Sequence, residues 1–148
     1  MAYSSKKDYT NAIKDYTSAI KLDPKFYQAY MNRAEAKYKM KEDEDAIDDF
    51  GMVIKLDPKN VDAYYNRGVL NSRNGHLGDA IDDFTYVIKN KPDYVSAWVN
   101  RGIMYYRTEK WNLCIIDLKK AIKLDPSLTY ELNPLIDQAD VYWQYNAH

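Results

Sequence analysis

The chain has 148 residues, of which 29% are charged, and its 21 basic and 22 acidic side chains leave a net charge of −1 at neutral pH. Lysines are scattered among aspartates and glutamates along the same segments, which excludes the clustered basic face typical of a nucleic-acid-binding protein. No apolar run approaches the roughly 20 residues that span a bilayer, and Met1–Lys7 does not resemble a secretory leader. We therefore expect a cytoplasmic protein with neither nucleic acid nor membrane as a partner.

Four prolines stand 34 residues apart, and the sequence around them repeats in step. They are Pro24, Pro58, Pro92 and Pro126. A run with apolar residues at i, i+1, i+4, i+7 and i+8 precedes each proline, and a second helical run follows each of the first three. The period predicts an array of helix–turn–helix units, each of which buries its apolar face against its neighbours.

Small and large residues recur at fixed places in each unit, as closely packed helices require. The small positions before the prolines are Ala12, Ala46, Ala80 and Cys114, and those after them are Ala34, Gly68 and Gly102. The large residues beside the latter are Tyr30, Tyr64 and Trp98. The motif Lys-Leu-Asp-Pro predicts a helix end, because lysine faces the negative end of the helix dipole and proline disfavours helical geometry in the residue before it.

This pattern resembles the tetratricopeptide repeat, and the resemblance covers nearly the whole chain. Lys37 and Asn71 replace the aromatic residue usual in that family, and Cys114 replaces an alanine. The resemblance implies an all-α fold, a right-handed α-solenoid of antiparallel helix pairs in a single domain over residues 1–148. We expect a partial repeat at 1–25, full repeats at 26–59, 60–93 and 94–127, and a C-terminal capping helix at 128–148.

The two ends depart from the regular pattern. The first copy lacks most of its first helix, which would finish near Tyr3, so Ile13, Tyr16 and Ile20 are expected to have an uncovered side. A longer parent array, a homodimer through this N-terminal edge, or simple exposure would each account for that edge.

At the C-terminus, Asn133-Pro134 predicts the start of the capping helix. Four apolar residues on one face of that helix are spaced to dock on the last repeat, namely Leu132, Leu135, Ile136 and Ala139. A plain cap is the simpler interpretation, and a mobile segment that folds back into the groove is the other.

The resemblance implies that the first helix of each pair lines a concave surface, where a ligand would bind. The residues placed there are Met31, Asn32, Glu35 and Lys39, then Tyr65, Asn66, Val69 and Arg73, then Val99, Asn100, Ile103, Tyr106 and Arg107. Asn32, Asn66 and Asn100 recur at the repeat interval, as in the asparagine ladder of the repeats of O-linked N-acetylglucosamine transferase. Their amides would suit the backbone of an extended peptide, although a packing role between helices also remains open.

Arginine follows each of these asparagines, and an aspartate recurs at a fixed place before each proline. The arginines are Arg33, Arg67 and Arg101, and the aspartates are Asp15, Asp49, Asp83 and Asp117. Arg–Asp pairs between helices are a simpler account of them than ligand binding. The family's clamp for acidic chaperone tails is absent, because its places carry Met31, Glu35, Tyr65, Val69, Val99 and Ile103.

The sequence contains no group of residues that we recognise as a catalytic or metal-binding set. His76 and His148 are far apart in a repeat array, Cys114 occupies a packing position, and the acidic run at residues 42–45 suits a helix start. We therefore expect no metal, no cofactor and no enzyme activity, but an adaptor that binds a peptide of mixed or apolar character. The alternatives are the non-catalytic repeats of a larger enzyme and a self-associating structural module.

Overall fold

The computed structural model describes the backbone of residues 2–146 and the side chains of residues 8–146. Within these residues the chain is helical, without strands, and its helices pack in consecutive pairs. The all-α prediction of paired helices is therefore confirmed. Two compact units are present, residues 1–74 and 75–148, and the boundary along the chain falls within the stretch that the 34-residue period assigns to one repeat, 60–93.

The first unit holds four helices, each packed on the next along the chain. They are α1 (Ala2–Leu22), α2 (Tyr27–Lys39), α3 (Asp43–Leu56) and α4 (Val61–Arg73). Their core is built around Phe50 and Val53 of α3, which are almost wholly buried, and Tyr30 and Leu70 reach it from α2 and α4. Tyr30, Phe50 and Val53 are positions of the repeating pattern, so the periodicity located most of the core of this unit, whereas Leu70 was not predicted.

The second unit repeats this arrangement and adds a short 3₁₀ turn. Its helices are α5 (Leu77–Asn90), α6 (Val95–Arg107), α7 (Trp111–Leu124) and α8 (Thr129–Asn146), with the 3₁₀ turn at Pro126–Leu128. Cys114 and Leu118 of α7 are fully buried, 68 residues beyond Ala46 and Phe50. Leu132, Ile136 and Ala139 of α8 are buried against the same cluster. The predicted docking face of the capping helix is thus confirmed.

Every helix that precedes a proline of the period ends two residues before it, at Leu22, Leu56, Asn90 and Leu124. Where the residue before the proline is aspartate, its carboxylate accepts the backbone N–H two residues on, at 3.0 Å for both Asp23 and Asp125. Aspartate thereby closes a turn through its own side chain. In the third copy Lys91 takes that place, and the helix stop remains because proline supplies it.

The turn inside each helix pair requires a left-handed backbone. Lys41, Gly75 and Glu109 all have positive φ, at 62°, 83° and 59°, and they stand 34 residues apart. The corresponding residue in the first copy, Lys7, lies within α1 instead. The helix end expected near Tyr3 does not occur. A separate helix of a few residues would leave most of its backbone groups unpaired, and residues 4–8 contain no glycine or proline to stop the helix.

The last helix also begins elsewhere than predicted. It starts at Thr129 rather than at Asn133-Pro134, and Pro134 lies inside it. The 3₁₀ turn that follows Asp125 already sets the chain on a helical path, so the helix propagates from there. Proline lacks the N–H that would bond the carbonyl of Tyr130, and the helix goes without that one bond close to its start.

Candidate functional site

Three of the predicted binding residues meet at one cavity in the first unit. Tyr65, Asn66 and Val69 of α4 line it together with Glu35 and Lys39 of α2. Its volume is about 410 Å³. These five residues, which the sequence analysis places on one surface, line the same cavity.

The inner part of this cavity is apolar. Phe50 and Leu70, which are 2% and 1% exposed, contribute to its lining, and Tyr38 of α2 completes it. Neither Phe50 nor Leu70 was predicted at the site, because Phe50 belongs to the apolar run before Pro58 and Leu70 has no place in the repeating pattern. Such a residue packs in the core and also lines the cavity with the small part of its surface that remains accessible.

A second cavity of about 370 Å³ lies between α1 and α2. Asn32 and Ala36 line it from α2, and Tyr9, Ala12 and Tyr16 line it from α1. Glu35 and Lys39 belong to both cavities, so they form a ridge between them. The contribution of α1 was missed, because the sequence predicted the residues of this helix as an uncovered edge rather than as the wall of a site.

The amide of Asn32 has a neighbour on its own helix. Its Oδ1 accepts a hydrogen bond from Nε2 of Gln28 at 3.0 Å, and both side chains stand near the surface. An amide oxygen has two lone pairs, so Asn32 can accept a second hydrogen bond from a ligand while Gln28 stays bound.

Arg73, the cation predicted for this surface, is engaged within the unit. Its Nη2 lies 2.9 Å from Oδ2 of Asp43, and its guanidinium stands over the ring of Tyr38, 5.0 Å from the centroid. The Arg73 side chain is 42% exposed. It remains a predicted ligand-binding residue, but a ligand's carboxylate would have to share it with Asp43.

In the second unit, the predicted residues lie along α6. Val99, Asn100 and Ile103 are half-buried, and Arg107, at the end of the helix, is exposed. Val99 also packs against the core of the unit. A side chain that is half-buried in this way can offer one edge to a ligand while the other edge holds the helix in place.

An aromatic cluster lies beyond these residues in the second unit. The ring of Tyr106 meets that of Trp111 edge-on, with 5.1 Å between their centroids, and the ring centroid of Tyr142 of α8 lies 4.9 Å from that of Trp111. Aromatic pairs at these distances add about 0.5–1.5 kcal/mol beyond their burial. Tyr106 was predicted on the binding surface, whereas the contact of Trp111 with α8 follows from packing that no local pattern indicates.

The arginines that follow the asparagines hold helices together. Arg33 donates from Nε and Nη2 to the two carboxylate oxygens of Asp49 at 2.8 and 2.6 Å, and from Nη1 to Thr17 at 3.1 Å. Lys37 lies 2.9 Å from the same carboxylate. The hydrogen bonds with Asp49 outweigh the opposing effect of burial and raise the pKa of Arg33. The structural interpretation of this arginine is confirmed.

The same arrangement recurs in the second unit. Arg101 donates to Asp117 at 2.7 and 2.9 Å and to Thr85 at 3.0 Å. Asp117 is only 2% exposed. The planar guanidinium can bond to both carboxylate oxygens at once, whereas a lysine ammonium cannot, so the structural role of these positions requires arginine.

Other reactive groups are placed as structural residues. Burial raises the pKa of the Cys114 thiol to about 11, and the thiol is fully buried. The acidic residues 43–45 form the first turn of α3, and His76 directly precedes α5, while His148 lies outside the described residues. In the described part of the chain, no three metal-ligating side chains come together. None of the helices described there is long and apolar enough to cross a membrane.

Comparison with known families identifies repeats in both units. A family model described as TPR repeat matches residues 2–41 and 35–75, and one described as tetratricopeptide repeat matches residues 95–128. No relative among curated proteins matches the sequence.

Solved structures share the fold. The crystal structure of MamA has a TM-score of 0.79 and 25% identity, over 95% of this chain and 88% of the MamA chain. The first TPR of Spaghetti (RPAP3), bound to the HSP90 peptide SRMEEVD, has a TM-score of 0.71 and 19% identity, over 82% and 94%. The Arabidopsis OM64 TPR domain has a TM-score of 0.64 and 23% identity, over 68% and 83%. The last two similarities concern the fold alone.

Proposed function

Because this chain belongs to the tetratricopeptide repeat family, whose modules generally mediate protein–protein interaction, we propose that it is an adaptor that binds an extended peptide segment of a partner protein. The proposed binding residues are those of the predicted surface. They are Asn32, Tyr65, Asn66, Val69 and Arg73 in the first unit, and Val99, Asn100, Ile103 and Arg107 in the second. No catalytic step is part of this proposal.

One observation carries the proposal, namely the cavity of the first unit in which an amide stands beside apolar side chains. Asn66 can both donate to and accept from a peptide backbone, while Tyr65 and Val69 offer apolar contact next to it. Ligand sites in proteins typically have 300–1,000 Å³ and combine an apolar lining with a few polar groups, and this cavity of about 410 Å³ falls within that range.

The peptide in the similar structure of the first TPR of Spaghetti supports peptide binding as the mode of this fold. It does not carry over the ligand. The family's clamp for acidic tails would need cations where this chain has Met31, Val99 and Ile103. The proposed ligand is accordingly of mixed or apolar character.

Selection from a random peptide library displayed on phage tests the proposal. We expect bound sequences whose affinity falls about fivefold to tenfold on Asn66→Ala or Asn100→Ala, the loss expected for about one hydrogen bond. Asn112→Ala, which removes an exposed amide on α7, is the matched control and should leave binding unchanged. Loss of the helical circular dichroism of Asn66→Ala would instead assign that amide to packing, and failure to select any peptide would count against the proposed function.

Self-association is a second candidate, favoured by apolar side chains exposed around the turn between α1 and α2. Leu22 is 89% exposed, and Phe26 and Tyr27 are 46% and 41% exposed. Clustered exposed apolar residues commonly mark an interaction site. Sedimentation equilibrium over a wide concentration range tests it. A homodimer that becomes monomeric on Leu22→Lys would support this candidate, and a monomer at every concentration would remove it.

A further inference from the structure

We propose, on the premise that the chain binds peptides as argued above, that the cavity between α2 and α4 receives one bulky uncharged apolar side chain of the ligand, aromatic or long aliphatic. The acidic side chain bound by the family's best-known clamp is excluded from it. The inference concerns the cavity lined by Glu35, Tyr38, Lys39, Phe50, Tyr65, Asn66, Val69 and Leu70.

The walls of the cavity are largely apolar and favour an apolar side chain. Phe50 and Leu70 are held almost wholly inside the core, so the surfaces that they offer at the cavity are fixed in position. Tyr38, Tyr65 and Val69 surround them. An apolar side chain that enters removes both its own surface and that of these walls from water, at about 25 cal/mol for each Å² buried. A small side chain such as alanine would gain little of this free energy.

The charged side chains at the cavity favour a ligand side chain without charge. Its ionisable lining consists of the phenols of Tyr38 and Tyr65 with Glu35 and Lys39, and these last two stand four residues apart on α2 with opposite signs. These two charges cancel, so the lining has no net charge to attract an acidic or a basic group. A ligand carboxylate would lie near Glu35 as well as Lys39, so the repulsion from Glu35 would offset the attraction to Lys39, and no net attraction would compensate for the water that the carboxylate loses.

The arginine close to this cavity does not change that balance. Arg73 stands over Tyr38, but its guanidinium is paired with Asp43 at 2.9 Å. The other two cations of α2, Arg33 and Lys37, are both bound to Asp49. A carboxylate that recruited any of them would first have to displace an aspartate of the same chain. Charge complementarity therefore favours an uncharged side chain.

Asn66 determines which part of the peptide backbone lies at the cavity, and therefore which side chain can enter it. Its amide lines the same cavity as Val69 and Leu70, so a peptide bonded to it by its main chain holds the adjoining side chain at the opening. The cavity then acts as a specificity pocket, and the asparagine acts as a sequence-independent contact. This division of roles is typical of the recognition of extended peptides.

The pocket can be tested without knowledge of the ligand, with single amino acids blocked as N-acetyl N-methylamides. We expect the blocked forms of phenylalanine, leucine and tryptophan to shift the methyl resonances of Val69 and Leu70 in a saturable manner. The blocked forms of alanine, aspartate and lysine should not. Val69→Ala should weaken binding of blocked phenylalanine at least threefold, whereas Val61→Ala on the same helix, outside the cavity, should not. Val69→Lys should turn the preference toward blocked aspartate.

The peptides selected from the display library separate this inference from the function on which it rests. Bound peptides that need one bulky apolar residue, and that protect Val69, support both. Peptides that lose affinity on Asn66→Ala but need an acidic residue and not an apolar one overturn the pocket and leave the proposed function standing. Absence of any saturable shift with blocked phenylalanine also overturns the pocket. Binding of blocked phenylalanine together with no selected peptide contradicts the proposed function alone.

Discussion

Gly102 of α6 lies so close to Leu118 of α7 that a β-carbon on Gly102 would stand 2.7 Å from Cδ2 of that leucine. Real side chains do not approach so closely, so the two helices owe their separation to the missing methyl group. Leu118 is fully buried. The equivalent place in the first unit carries Ala34, which faces its own neighbours without exposure.

The first prediction concerns this contact. Gly102→Ala should destabilise the protein by about 1–3 kcal/mol, because overpacking a filled core strains it by more than the helix gains from alanine. Equilibrium unfolding in urea measures the change. Leu118→Ala made in the Gly102→Ala background should cost less than Leu118→Ala alone, since the clash is then relieved. A neutral or stabilising Gly102→Ala would show that the helices separate freely.

The second prediction concerns the left-handed turns. Lys41→Gly and Glu109→Gly should each stabilise the protein by up to about 1 kcal/mol, because an L-residue at positive φ is strained by about 1–2 kcal/mol and glycine is not. Gly75→Ala should destabilise it by a similar amount. Lys41→Ala is the matched control, since it removes the same charge without relief of the backbone, and thermal unfolding compares all four. Equal effects of Lys41→Gly and Lys41→Ala would contradict the backbone explanation.

The third prediction separates the shielded ion pair from the exposed one. Arg101→Lys should cost about 1.5–3 kcal/mol, because lysine retains the charge but loses the two-point bond with Asp117 and the bond with Thr85. Arg73→Lys should cost less than about 1 kcal/mol, since the Arg73 side chain is 42% exposed where it pairs with Asp43. Urea unfolding of the two variants decides the matter, and an equal cost would show that shielding of Asp117 is unimportant.

The fourth prediction concerns Cys114. Its thiol, with a pKa raised to about 11 by burial, should react with Ellman's reagent at pH 8 only after the protein unfolds. Between its ordinary pKa of 9.0 and the folded value near 11, the unfolded chain releases this proton while the folded chain keeps it. Stability contributed by this group is therefore complete below pH 9 and declines toward pH 11. Cys114→Ala should flatten that decline, and rapid labelling of the native protein would contradict the burial of the thiol.

The candidate site illustrates how far sequence patterns reach. Tyr65, Asn66 and Val69 were predicted together from the resemblance, and they do line one cavity with Glu35 and Lys39. Tyr9 and Tyr16 were missed, because the expected break near Tyr3 hid the fact that α1 runs on as one helix beside α2. The pairing of Arg73 with Asp43 was missed because the two residues are 30 positions apart and the pair does not recur at the corresponding places.

The amino-acid sequence alone determined the features that recur every 34 residues. Helix ends before the prolines, the buried run of Ala46, Phe50 and Val53, and the pairing of Arg33 with Asp49 all depend on chemistry that each copy repeats, so the period reveals them. Only the tertiary structure decided which copy-specific side chains meet across helices. The ridge of Glu35 and Lys39, the engagement of Arg73 and the start of α8 at Thr129 follow from packing between particular neighbours. A repeat pattern shows only what the copies have in common, whereas packing depends on the particular side chains of each copy.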